Sequence, residues 1–251
     1  AGDRKEDLKQ QFDNLKAVMH KKWHQGKYIA YFQAFTNTYG DVEYLRKVYE
    51  LALNQPEVVG LAIATRPDCL PEEVLDLLAE FNKKTYLWVE LGLQTIHKQT
   101  ARSMNLQYDY EKFRQSLQNL RKREIQTVAH IILGLPGETH EMMRVTGETV
   151  AELPIQGLKI HLLHLMKNTP LAQIYKDKPF PYLTQHEYID LVADILEKIP
   201  PDVVIHRLTG DSPRSTLIGP EWSLNKWEVL NSIDDRLVQR NTWQGRMRGN
   251  L

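Results

Sequence analysis

Cysteine is nearly absent from this chain: Cys69 stands alone among 251 residues. No internal disulfide can form, and no thiolate-bound metal cluster can be assembled from one sulfur. Missing too is any apolar run near the roughly 18 residues that a membrane-spanning helix needs. No signal peptide is visible, so the expected compartment is the reducing cytoplasm, with no membrane partner. Net charge is the third absence. Thirty-two Lys and Arg balance thirty-two Asp and Glu, which removes a global basic argument for nucleic acid and leaves only local patches. Repeats, low-complexity tracts and linkers are also missing. The expectation is therefore one domain over residues 1–251, with 210–251 a C-terminal extension packing on it. The chain opens on alanine, not methionine, and is expected to be part of a longer protein.

What is present is an ordinary globular composition, 42% hydrophobic and 25% charged. Leu8, Phe12, Leu15, Met19 and Trp23 recur at three- and four-residue steps and predict a first helix over Arg4 to Trp23. Six strand-like runs follow, at Tyr28–Gln33, Val58–Ala64, Tyr86–Gly92, Thr127–Leu133, Gly157–Leu163 and Val203–Leu208. Helical patterns lie between them, with starts marked by Asp41, Pro71, Asp109 and a Thr184/Glu187 capping box. Aliphatic strands alternating with helices give an α/β class with a parallel sheet curled into a barrel or partial barrel. Trp222, Trp227 and Trp243 are expected to pack across its open end.

Function in such a fold sits where strands end and loops begin. The first strand runs into Gln33-Ala34-Phe35-Thr36-Asn37-Thr38. The second ends Thr65-Arg66-Pro67-Asp68-Cys69, where Pro67 holds Arg66 extended, so that Arg66 and Asp68 project from the strand end or pair with each other. The third ends Glu90-Leu91-Gly92-Leu93-Gln94. Gly92 permits close backbone approach, and Gln94 offers both donors and acceptors. The fourth carries His130 and ends Gly134-Leu135-Pro136-Gly137-Glu138, a turn able to present main-chain groups beside an apolar slot. Lys159 and His161 share a face of the fifth strand, with His164, Lys167 and Thr169 beyond. His206 and Arg207 precede Thr209-Gly210-Asp211. That density of imidazoles and cations suits an anionic substrate, or a proton donor near a reactive intermediate. A purely structural reading has them satisfying loop carbonyls.

The segments Ala-Thr-Arg-Pro-Asp-Cys, Trp-Val-Glu-Leu-Gly-Leu-Gln-Thr and Gly-Leu-Lys-Ile-His-Leu-Leu-His-Leu resemble the YhcC/YtqA (MnmL-like) group of the radical S-adenosylmethionine (SAM) superfamily. The group is related to oxygen-independent coproporphyrinogen dehydrogenase and the Elongator catalytic subunit. The resemblance covers essentially the whole chain. It implies a partial (β/α)6-type parallel barrel, here without its first strand and cluster loop. It implies SAM as cofactor, contacted by Gln33, Thr36, Thr65, Arg66, Asp68, Gln94, His130, Gly134, Leu135 and Pro136. It also implies a [4Fe–4S] cluster held by three cysteines upstream of Ala1, and an external electron donor such as flavodoxin or ferredoxin. An Asn-Arg pair that helps hold the cofactor in the family is reduced here to Asn105-Leu106. The implied reaction makes a 5′-deoxyadenosyl radical and remodels the wobble uridine side chain of tRNA from carboxymethylaminomethyl to aminomethyl. As it stands the chain should be inactive. Substrate contacts then fall to Lys159, His161, His164, His206, Arg207 and Asp211, and RNA contacts to Arg121-Lys122-Arg123, Arg240, Arg246 and Arg248. Two other readings compete. One is a metal-dependent hydrolase using His130, His161, His164 and His206 with Asp211 as base. The other is a non-catalytic SAM- or RNA-binding scaffold.

Overall fold

The computed structural model describes residues 8–21 and 26–248; Arg4 and Trp23, the expected ends of the first helix, lie outside them. Helix α1 (Leu8–His20) precedes strand β1 (Tyr28–Phe32). Then come α2 (Val42–Leu53), β2 (Val58–Thr65), α3 (Glu72–Lys84), β3 (Tyr86–Gln94), α4 (Lys98–Ser103), α5 (Tyr110–Lys122), β4 (Gln126–Leu133), α6 (His140–Ala151) and β5 (Gly157–Leu162). A two-residue strand β6 (Leu165–Met166), α7 (Pro170–Asp177), α8 (Gln185–Leu196), β7 (Val204–Arg207), β8 (Leu217–Gly219) and α9 (Lys226–Gln239) complete the order. Six strands form one sheet in the order β1-β2-β3-β4-β5-β7, while β6 and β8 make a small antiparallel ribbon. The pairs β1–β2, β2–β3 and β5–β7 run parallel.

Alternation along each strand sorts the residues into two unlike faces. One face is aliphatic and almost wholly buried: Leu87, Val89, Leu91 and Leu93 of β3, Ala129, Ile131 and Leu133 of β4, and Leu158, Ile160 and Leu162 of β5. The other carries Trp88, Glu90 and Gln94 on β3, Gln126 and His130 on β4, and Lys159 and His161 on β5. On β4 the second face also holds the aliphatic Val128 and Ile132.

The helix starts follow local chemistry. Asp41 accepts from the Tyr44 amide and caps α2. Thr184 and Glu187 form the expected reciprocal capping box of α8. Pro71 occupies the cap position of α3, just outside the first turn. Asn105, at φ 56°, closes α4, and the Leu106 amide returns to the Ala101 carbonyl. The stripe of α1 is less buried than its periodicity predicts. Leu15 and Met19 are exposed, and Phe12 meets Tyr28 edge-on.

The chain forms two compact units, residues up to Gly92 with Glu111–Val128, and Leu93–Tyr110 with residues from Ala129 onward. In the first, Tyr49 of α2 lies edge-on to Phe32 and to Phe81 of α3, and its hydroxyl donates to the Asn37 carbonyl. In the second, α8 packs against both α6 and α9. Asp190 and Asp194 on α8 hold Arg236 of α9 and Arg240 at its C-cap, and Asp194 also holds Arg144 of α6. Trp222 packs on Tyr188 and donates its indole N–H to the Leu183 carbonyl. Trp227 and Trp243 do not join it. They are 75% and 55% exposed, because the buried stripe of α9 is supplied by Val229 and Ile233.

Candidate functional site

Within the first unit the loop after β1 is pinned to the end of β2. The Asn37 side chain donates to the carbonyls of Phe32 and Ala64, both at 2.9 Å. Buried Thr38 donates to the Cys69 carbonyl, which leaves the Thr65 hydroxyl to donate to Thr38 across 2.5 Å. Thr65 is thus engaged inside the protein. Gln33 is exposed and Thr36 half-buried on the same loop. Arg66 and Asp68 form a two-pronged ion pair, Nε to Oδ1 at 2.9 Å and Nη2 to Oδ2, which realises the pairing left open above. Cys69 is half-buried, and burial raises its thiol pKa. Glu90 is a buried carboxylate that the site reading missed. It accepts from the Tyr31 hydroxyl at 2.5 Å and the Trp88 indole at 3.2 Å. Its signal was a charge at an alternate position of an otherwise aliphatic strand.

In the second unit Gln94 ends β3 with φ 68°, and the Thr95 amide donates back to the Leu93 carbonyl at 2.9 Å. This is a positive-φ γ-turn, rare and strained for a residue with a side chain. Thr95 holds it. Its hydroxyl accepts from the His97 amide and donates to Glu138 Oε1 at 2.5 Å. His97 Nε2 donates to the Met142 carbonyl. Burial raises the Glu138 pKa, against the hydroxyls of Thr95 and Thr100, which lower it. Glu138 closes a turn with its amide on the Leu135 carbonyl, Pro136 and Gly137 (φ 85°) being the central pair. Gly134 also has φ 85°, and a Cβ there would stand 3.3 Å from Leu183.

Along β5, the His161 ring lies 5.1 Å from that of His130. Lys159 is buried and registers with Arg207 of β7. Burial, then the charges of His130, Arg207 and Lys159, lower the His161 pKa to about 3. Burial also lowers that of His164, while Asp211 raises it. Gly210 lies against both rings: a Cβ on it would come within 2.9 Å of His164 Cε1 and 3.7 Å of His161 Nδ1. Asp211 is exposed and ion-paired with Lys226 at 3.0 Å. His206 lies on β7, next to Arg207, and is exposed. Lys167 donates to the Ser215 carbonyl, and Thr169 caps α7. No three His, Cys, Asp or Glu gather as a metal-ligand set among the described residues.

Residues 3–150 match the radical SAM superfamily, and residues 155–239 match the radical SAM C-terminal domain. The chain belongs to the radical SAM superfamily. It is 52% identical to YtqA of Bacillus subtilis over 98% of its own length and 76% of that protein, and 36% identical to YhcC of Escherichia coli K12 over 87% and 71%. In fold it is similar to Elp3 of the archaeon Methanocaldococcus infernus, with a TM-score of 0.77 at 18% identity, covering 93% of this chain and 58% of that one. The radical SAM superfamily uses SAM and a [4Fe–4S] cluster. The residues present do not fit the cluster: Cys69 is the one cysteine in the sequence, and its thiol is half-buried beside Asp68. Among the described residues no helix is long and apolar enough to cross a membrane.

Proposed function

We propose that this chain is the SAM- and substrate-holding part of a radical SAM enzyme that acts on tRNA. Its substrate would be the modified wobble uridine, whose side chain passes from carboxymethylaminomethyl to aminomethyl. The observation that carries the reading is Gln94, held in a strained turn at the end of β3 where the family resemblance puts a SAM-binding glutamine. Its amide offers two donors and an acceptor to the polar groups of SAM. The Gly134-Leu135-Pro136 turn presents main-chain groups beside buried Leu135. His130 stands on the polar face of β4. Gln33, Thr36, Thr65, Arg66 and Asp68 stay candidates for SAM contact, Thr65 through its carbonyl because its hydroxyl is engaged.

In this family a cluster, when bound, would supply reducing power to SAM. The thiolates for that cluster have to come from outside these 251 residues, so the chain by itself is proposed to be inactive. A low-potential donor such as flavodoxin or ferredoxin would supply the electron.

The RNA contacts expected from sequence divide in the structure. Arg123 is held by Glu72 and Asp76, Arg240 by Asp190 and Asp194, and Arg248 by Glu152 and the Ala151 carbonyl. Arg121 and Lys122 are exposed in the last turn of α5, and they are the proposed phosphate contacts.

The test joins the chain to a cysteine-bearing cluster segment, reconstitutes it anaerobically, adds SAM and dithionite, and quantifies 5′-deoxyadenosine. The expected result is formation that is lost in Gln94→Ala. No product from folded, cluster-loaded protein would overturn the proposal.

A further inference from the structure

The segment after α9 is tied down by polar bonds yet turns its largest side chains outward. Gly245, at φ 81°, donates its amide to the Leu196 carbonyl at 3.0 Å, and a Cβ on it would stand 3.0 Å from Pro201. The Met247 amide donates to the Glu197 carbonyl at 2.8 Å. The Gln244 side chain donates to the carbonyls of Pro200 and Val203, at 2.7 and 2.8 Å. Arg248 donates to the carbonyls of Ala151 and Lys198. Trp243 and Met247 nevertheless stay 55% and 63% exposed. A tryptophan in so firmly held a segment forgoes the burial that usually stabilises an indole.

Trp243 has one companion. The Arg246 guanidinium lies over its ring, 4.8 Å from the centroid. Other arginines of this region are neutralised, Arg236 and Arg240 by Asp190 and Arg248 by Glu152. Among the described residues no carboxylate pairs with Arg246, which is exposed. The pair is a flat cation against a flat ring, both reachable from solvent. It suits a ligand that is itself flat and carries negative charge close to its ring. An unpaired nucleotide has both: its base stacks on an aromatic ring or a guanidinium, and its phosphate takes N–H donors. An acidic peptide brings the charge without the ring. A nucleic-acid duplex keeps its base faces covered by its own stacking.

We propose that Trp243 and Arg246 form a stacking platform for an unpaired nucleotide of RNA. This rests on the tRNA-modifying reading above and adds a second contact to it. The segment is anchored at Val203, just before β7, and at Ala151, which ends α6 ahead of β5. It therefore stands at the N-terminal ends of these parallel strands. Gln94 and the Gly134 turn stand at the C-terminal ends of theirs. β5 alone has six residues, a span of about 20 Å. The nucleotide on the platform is thus not the one that reacts. It belongs to another unpaired stretch of the same RNA, and the platform serves affinity and the choice of RNA, not the chemistry.

The experiment uses the 251-residue chain and a short fluorescein-tagged single-stranded RNA followed by anisotropy, with an RNA duplex of equal length as control. Trp243→Ala and Arg246→Ala should each raise the single-strand dissociation constant about tenfold, the effect of losing one stacked base. Duplex binding should not change. Arg246→Lys keeps the charge and loses the plane, so it should bind as weakly as Arg246→Ala while retaining the parent's salt slope. Trp243→Phe keeps a ring and should recover most of the affinity, which covers the case in which Trp243→Ala fails to fold. No binding of the single strand, full affinity in Arg246→Lys, or an equal loss on the duplex would each overturn the platform. Unchanged affinity in both alanine variants would overturn it too and assign the surface to a protein partner. The two proposals fail separately. Platform-dependent RNA binding without 5′-deoxyadenosine from the cluster-loaded protein sinks the enzyme reading alone. Formation of 5′-deoxyadenosine with RNA binding indifferent to Trp243 and Arg246 sinks the platform alone.

Discussion

Glu138 accepts a hydrogen bond from the Thr95 hydroxyl at 2.5 Å, and this contact joins the turn after β3 to the turn after β4. Thr95 follows the strained Gln94 directly, so a carboxylate on one loop fixes the backbone of another. Removing the carboxylate in Glu138→Ala leaves a buried hydroxyl short of its acceptor, at a cost of about 1–3 kcal/mol. SAM affinity should fall with it, as Gln94 loses its fixed aim. Glu138→Gln keeps an acceptor oxygen. Burial raises the pKa of Glu138 above its usual value, so its contribution to stability is full at low pH and is lost as pH rises through that raised value. Chemical denaturation at pH 7 should therefore find Glu138→Gln at least as stable as the parent. Equal stability of Glu138→Ala would contradict the bond's role.

His161 sets the acid limit in the opposite sense. Its pKa is lowered to about 3 in the folded protein, against 6.5 for the free side chain. Between those values the unfolded chain binds more protons, so stability is complete above about pH 6.5 and declines as pH falls toward 3. His161→Gln should flatten this decline. Midpoints of urea unfolding from pH 7 to pH 4 measure it, and an unchanged slope would show that other groups govern acid sensitivity.

Gly147 of α6 lies directly on Ile195 of α8, and a Cβ there would stand 2.4 Å from the isoleucine Cγ1. Gly147→Ala should therefore destabilise by about 1–3 kcal/mol through overpacking, despite the helix preference of alanine. Pairing it with Ile195→Ala should recover part of that loss. A double-mutant cycle on thermal unfolding reads the coupling, and simple additivity would refute the contact.

Arg121 and Lys122 should behave unlike Arg123 in RNA binding. Neutralising the first two with Gln is expected to weaken tRNA binding and reduce the salt slope by about one to two charges. Arg123→Gln should lower stability instead, since it breaks ion pairs to Glu72 and Asp76. Filter binding at two salt concentrations separates them. A uniform effect of all three would remove the distinction.

The strand boundaries were legible to within two residues, because period-two alternation and aliphatic runs are written locally. So were the caps at Asp41 and Thr184. The ribbon of β6 and β8 was not, since strands of two and three residues carry no period to detect. The exposure of Leu15, Met19, Trp227 and Trp243 was invisible because apolar residues are expected inside, and only tertiary partners decide whether they get there. At the site, Gln94, His130 and the Gly134 turn were named from sequence. Glu138 and Asn37 were not singled out, because each acts through a residue distant in the chain.

The unlike faces of the strands bear on folding fidelity. A parallel strand that slips by one residue exchanges its two faces. In most buried sheets the exchange swaps one aliphatic side chain for another, and the mistake is cheap. In β5 it would press Lys159 and His161 into the layer now filled by Leu158, Ile160 and Leu162, which no misfolded state could easily tolerate. The residues read here as chemical equipment thus also proofread the pairing of the strand that carries them.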